Sequence, residues 1–343
     1  MVMIKERMEN YGVQGISIAS IKEGELDSVQ HYGLLENGTS KTVNDESIFN
    51  ACSISKFVTA VLALKLVEDG YLNLDENVNT RLKTWQVPQN KFTQSSSVTL
   101  RKLLCHQGGF IDPKDSFGLL EDSSIPSMLE LLEGRSAYFP SPLEVSYVPG
   151  TEFHYSDAGF CLIQHLIEDV MGDSFEHLMD TLLFRPLQMD NSTFNPIILT
   201  ERNINVSSGH HKDGQVVLGN YPIYPYPAAA GLWSTPSDLA KLMIELISTL
   251  KGPNKLGIAL ELMQAMFSPQ GCADWSGLGV FLDNTKSSLE LSSLGWGVGF
   301  QSAIVAFPES ESGIVIMTNT DLGVHQTEGL IGEIIKSPML EKV

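Results

Sequence analysis

The chain has 343 residues, 43% of them hydrophobic, which is enough for a large core in one domain or two. Its 41 Asp and Glu outweigh 22 Lys and Arg, and a formal net charge of −19 excludes nucleic acid and anionic lipid as partners. Charged residues make up 18%, below the usual ~25%, and no run of ~18 apolar residues is present, so the composition describes an ordered globular chain without a membrane span.

The N-terminus, Met1 to Gly12, lacks an apolar h-region and a small-residue cleavage site, so a soluble cytoplasmic protein is expected. Residues 3–11 read as a short amphipathic helix. Gly15 to Ile21 alternates and is rich in β-branched residues, which predicts a strand, with Lys22-Glu-Gly-Glu as its turn and a second strand through about Tyr32. Residues 54–68 predict a strong helix: Ile54, Phe57, Val58, Val61, Leu62 and Leu66 recur at helical spacing, and Gly70 stops it. Further helices are expected at 126–135, 158–172, 174–183, 236–250 and 258–267, with a proline-rich loop at 219–228. Gln301–Phe307 and Gly313–Thr318 are short β-branched runs separated by a turn at Pro308, and a helix over about 325–336 closes the chain. Strands at both ends with helices between them predict an α/β (α+β) fold. One antiparallel sheet is built from residues 1–50 and 285–343, and a mainly helical region, 51–284, is inserted into it.

Cys52, Cys105, Cys161 and Cys272 are widely spaced without a CxxC pair, which points to single buried thiols and away from a zinc knuckle or thioredoxin motif. Cys52 is also a neighbouring alternative nucleophile, but only Lys56 is a nearby cation in sequence.

Three elements carry chemistry. Ser53-Ile-Ser-Lys56 is an S-x-x-K motif at the start of the strong helix, and residues three apart share a helix face. A serine hydroxyl needs a base before it attacks, and a lysine serves only when its pKa is depressed. The helix N-terminus favours negative charge developing at Ser53. Ser248-Thr-Leu-Lys251 has the same spacing, but it ends a helix and runs into Gly252-Pro253, where its lysine reads as a solvated charge. Tyr155-Ser-Asp157 is the second element, with Tyr155 as a proton relay or as a core tyrosine with a satisfied hydroxyl. Tyr71-Leu-Asn73 is closer by letter to Y-x-N, yet it lies too near Gly70 to fold back over Ser53. The third element is Ser293-Leu-Gly295-Trp296-Gly-Val-Gly299-Phe300. On spacing alone it reads as a glycine-rich turn; as an edge strand it would let a ligand approach closely and lend a backbone N–H to an oxyanion.

Together these elements resemble the serine β-lactamase and penicillin-binding-protein superfamily, and most closely its class C β-lactamase, D-aminopeptidase and esterase branch. The resemblance extends to Leu103-Leu-Cys-His106-Gln-Gly-Gly109, to Pro149 through Tyr155-Ser-Asp157, and to Pro186–Thr193, Ala230–Asp238 and Ile314–Asn319, in the family's order. It implies a sheet domain from both termini, a helical insertion and an active site at their junction. It also implies an acyl-enzyme route. Ser53 attacks a carbonyl, Lys56 and Tyr155 move protons, and the N–H groups of Ser53 and Trp296 hold the oxyanion. No metal or organic cofactor is needed, and the partner is a small-molecule or short-peptide substrate. The resemblance gives His106 a structural role. Two positions depart from the pattern: Asp157 stands where the family has Asn, and Ser293 where it has Lys or His. A carboxylate only accepts hydrogen bonds, and Asp157 paired with Lys56 would hold that lysine protonated. Both changes make the site more negative. Neutral esters or amine-bearing D-peptides and amides are the expected substrates, with a true β-lactamase or DD-peptidase and a catalytically weak binding or scaffold protein as the alternatives.

Overall fold

A computed structural model describes residues 4–114, 116–119, 125–196, 205–285 and 288–337. Helix α1 (Ile4–Tyr11) leads into β1 (Gly15–Lys22) and β2 (Glu25–Gly33), close to the expected boundaries. The other four strands of the main sheet come late in the chain: β3 (Phe281–Asp283), β4 (Glu290–Gly297), β5 (Phe300–Phe307) and β6 (Ser312–Thr318). The sheet is antiparallel throughout, in the order β2-β1-β6-β5-β4-β3. The first and last parts of the chain meet where Ile16 faces Thr318 and Ile18 faces Ile316.

Both faces of the sheet are covered, which explains why β5 and β6 are continuously apolar runs. On one face α1 and the C-terminal helix α6 (Leu330–Ile335) bury Ile4, Met8, Leu330, Ile331 and Ile334 against Ile16, Ile18, Val305 and Ile316. On the other face lie α5 (Pro236–Thr249), which packs on β1, β2 and β6, and α2 (Ile54–Glu68). Helix α2 buries almost every residue, including Ser55, Lys56 and Thr59, and so forms the centre of the larger core. Behind it lie α3 (Leu100–Leu104) and α4 (Asp157–Met171).

Strand β3 and helix α5 both fall inside residues 51–284, so the sheet layer draws on that stretch as well as on the two ends. The helix expected at 126–135 is only Met128–Leu132: Ser127 and Glu130 close a capping box at its start, and Gly134 at φ 69° ends it. The closing helix is broken by an extended Gly329 into a 3₁₀ turn, Gln326–Glu328, and α6. No helix among the described residues is long and apolar enough to cross a membrane.

Candidate active site

Ser53 sits where a strand-like segment turns sharply into α2. Cys52 adopts φ 50°, a left-handed conformation rare for a side chain of this kind, and Asn50 Oδ1 holds the turn by accepting from the Cys52 N–H at 2.8 Å. Ser55 clamps the other side, donating from Oγ to Cys52 O at 2.5 Å and accepting from Leu232 N at 2.9 Å. As N-cap of α2, Ser53 makes no side-chain capping bond, which leaves its Oγ available. Cys52 itself is buried and its thiol pKa is pushed up by burial and by the charge of Asp321, so it is a packing residue and no rival nucleophile.

One turn along the helix, Lys56 Nζ lies 3.2 Å from Ser53 Oγ. An ammonium has three donors, and this one meets three acceptors: Ser53 Oγ, Ala229 O at 2.8 Å and Asp157 Oδ1 at 2.6 Å. Burial pulls the lysine pKa down, but the charge of Asp157, with Tyr155 adding to it, outweighs this and holds it above its ordinary value. The pairing anticipated from the Asp157 departure is thus present. Tyr155 stands with Ser53, Lys56, His106 and Ser293 around one small cleft, its ring centroid 4.8 Å from Lys56 Nζ.

Two residues support the site, and of these only Asp112 has no sequence signal. Asp112 braces the start of α4: its carboxylate accepts from Ser156 Oγ and from Asp157 N, both at 2.6 Å, so it fixes the backbone that aims Asp157 at Lys56. Burial and the neighbouring charge of Asp157 raise its pKa to about 6. His106, at φ 58°, stacks on Tyr155 with ring centroids 4.3 Å apart and accepts at Nδ1 from Ser156 N at 3.1 Å, which puts its ring proton on Nε2. Its structural role is therefore a direct one, as a wall behind Tyr155. Burial and the Lys56 charge bring its pKa down to about 3. A base with a depressed folded-state pKa binds its proton more readily in the unfolded chain. His106 therefore favours the fold fully above pH ~6.5, and that contribution is lost as pH falls toward about 3. His106→Asn flattens the slope of Tm against pH in this window; an unchanged slope contradicts the assignment.

The third element is a strand that ends in a turn: Ser293–Gly297 lie on β4, and Val298-Gly299, with Gly299 at φ 78°, turn the chain into β5. Gly295 and Gly297 lie on β4, where a Cβ at 295 would stand 2.2 Å from Ala51 O and one at 297 would stand 2.8 Å from Cys52 Sγ. The glycines thus let β4 run directly across the turn that carries Ser53. Ser293 lines the cleft, and Gly295 O accepts from Gln326 Nε2 at 2.7 Å. Trp296 is 44% exposed, with its Nε1–H donating to Asp321 at 2.8 Å.

The look-alike motifs are elsewhere. Lys251 pairs with Glu311 on the surface, Ser248 Oγ bonds to its own helix at Glu245 O, and Tyr71 is exposed beyond α2. A Ser17–His31–Asp45 relay spans β1 and β2 with contacts of 2.9 and 2.6 Å, but Ser17 is 1% exposed and no substrate reaches it. The blocks 186–193 and 230–238 meet each other, because buried Asp238 accepts from Asn191 N and Ser192 Oγ. Their role is to fix the scaffold.

Protein flp of Staphylococcus aureus is 24% identical over 327 residues, 92% of this chain and 62% of the relative, so the chain spans under two thirds of that relative's length. Among solved structures, the octameric penicillin-binding protein homologue from Pyrococcus abyssi has a TM-score of 0.78 at 24% identity, covering 99% of this chain and 76% of that one. The D-amino acid amidase from Ochrobactrum anthropi SV3, complexed with D-phenylalanine, has a TM-score of 0.76 at 20% identity and covers 97% of both chains. The family model described as Beta-lactamase matches residues 3–332, and the chain belongs to that family.

Proposed function

We propose that this protein is a serine hydrolase that forms an acyl-enzyme on Ser53 and acts on neutral esters or amine-bearing amides and short D-peptides. The observation that carries this reading is the 3.2 Å approach of Lys56 Nζ to an uncapped Ser53 Oγ at a helix start, inside a cleft shared with Tyr155. In the proposed reaction Ser53 Oγ bonds to the substrate carbonyl carbon as its proton passes to the neutral form of Lys56. The N–H groups of Ser53 and Trp296 stabilise the oxyanion. Tyr155 gives its phenolic proton to the departing oxygen or nitrogen and recovers one from Lys56. Water then cleaves the ester by the reverse sequence.

The charge pattern supports the substrate reading. Asp157, 26% exposed beside Lys56, and Asp321, beside Trp296, are anionic, and Ser293 brings no cation to the cleft. A β-lactam carries a carboxylate that such a site repels. Steady-state kinetics with a chromogenic cephalosporin and p-nitrophenyl acetate test this: the ester is turned over and the cephalosporin is at least about 100-fold poorer in kcat/KM, a penalty of ~2.7 kcal/mol. Efficient cephalosporin turnover without esterase activity contradicts it.

The raised Lys56 pKa sets the pH profile. Only the neutral amine is a base, and its fraction grows about tenfold per pH unit below the pKa. Ester acylation therefore climbs steeply between pH ~6 and ~9; a flat profile removes Lys56 as the base.

A further inference from the structure

The proline-rich loop 219–228 bears on both sides of the nucleophile. Pro222, Pro225 and Pro227 fix the backbone φ at three positions and so stiffen it. The loop runs into a short helix, Pro227–Ala230, that lies on α2: Ala228 O accepts from Thr59 Oγ1 at 3.0 Å and Ala229 O accepts from Lys56 Nζ at 2.8 Å. Three residues before that helix, Tyr224 meets the end of β4, and its Oη accepts from Val298 N at 2.9 Å. The phenol oxygen packs on the strand backbone itself, because a Cβ at Gly297 would stand 2.4 Å from it and 2.8 Å from Cys52 Sγ. Burial pushes the phenol pKa up, so Tyr224 stays a neutral partner. Gly299, at φ 78°, is closed in from the other side by Gly209, whose Cα a Cβ at 299 would meet at 2.6 Å.

Val298 follows Trp296 by two residues, in the turn that leads into β5. A glycine-rich strand end has wide backbone freedom, so the direction of a peptide N–H there depends on what holds its neighbours. We propose that Tyr224 is a positioning residue for the oxyanion: by holding Val298 N it fixes the turn from Gly297 to Gly299, and with it the direction of the Trp296 N–H beside Ser53. Through Ala229 O the same loop holds the Lys56 amine, so one stiff segment sets the spacing between the base and the oxyanion donor. The inference rests on the reading of Ser53 as nucleophile and Trp296 as donor.

Two measurements on the full chain test this with Tyr224→Phe, which keeps the ring and removes the hydroxyl. Hydrogen exchange reads the clamp without any chemistry: the amide of Val298 exchanges at least about fivefold faster, the loss expected for one hydrogen bond. Kinetics read the oxyanion. The kcat for p-nitrophenyl acetate falls about tenfold, a part of the ~10²–10³ lost when an oxyanion donor is removed outright, while KM and the shape of the pH profile hold. Affinity for phenylboronic acid, whose tetrahedral adduct on the Ser53 hydroxyl mimics the intermediate, falls by the same factor. Tyr221→Phe, which takes a hydroxyl from the same loop where it bonds to Ser208, moves none of these. Unchanged exchange at Val298, a kcat within about twofold of wild type, or an equal fall in Tyr221→Phe overturns the assignment. Faster exchange in a protein whose wild type reacts with neither the boronic acid nor any ester supports the clamp and contradicts the hydrolase.

Discussion

Replacing Lys56 with methionine lowers the acylation rate at least about 10³-fold, within the 10²–10⁴ range for removing a general base. Methionine matches the length of the stem and fills the same buried space beside Ala229, so the shape of the site is kept while the amine is lost. The change also strands Asp157. Removing one partner of a fully buried ion pair costs about 3–5 kcal/mol, but the Asp157 side chain is 26% exposed and water offsets much of that, leaving an expected loss of ~1–2 kcal/mol. A folded variant by circular dichroism with a lowered Tm and no burst of p-nitrophenol is the expected outcome. An acylation rate within tenfold of wild type assigns the proton transfer to another group.

Asp157→Asn splits the substrates. In the wild type the carboxylate at 2.6 Å keeps Lys56 charged. An amide in its place leaves burial as the main influence, and burial favours the neutral amine. A fall of one pKa unit is worth ~1.4 kcal/mol, so acylation by p-nitrophenyl acetate at pH 7 rises about tenfold and the steep part of its pH profile moves to lower pH. Acylation by a cephalosporin rises as well, because a carboxylate facing an anionic ligand is gone. Amine-bearing amides lose affinity, visible as a higher KM, since the group that attracts their ammonium is gone. If all three substrates respond alike, or the ester and cephalosporin slow down, Asp157 does not act through charge.

The parts of this site that the chain order reveals are those set by local geometry. Ser53 and Lys56 share a face of α2 at a spacing of three, and the apolar repeat that defines the helix also shows that its start is where the motif sits. Tyr155 precedes the Ser156 N-cap of α4, so the turn that presents it is written in the same few residues. The interior strands β1, β5 and β6 are readable from β-branched runs, whereas β4 is not: Ser292, Ser293, Gly295 and Gly297 lower its strand character, and what makes it a strand is pairing with β5 and the contact of its glycines with Ala51 and Cys52. Asp112 was equally silent. It lies in an irregular segment with no periodicity, and its importance arises from meeting Ser156 and Asp157 across 44 and 45 residues of chain.

Intact-mass spectrometry after exposure to a fluorophosphonate reports most directly on whether the residue 53 hydroxyl is an activated nucleophile. The wild type gains the mass of one phosphonyl group, peptide mapping places it on Ser53, and Ser53→Ala gains none. A wild type that stays unmodified by this probe and by a fluorescent penicillin, or label that persists in Ser53→Ala, contradicts the account.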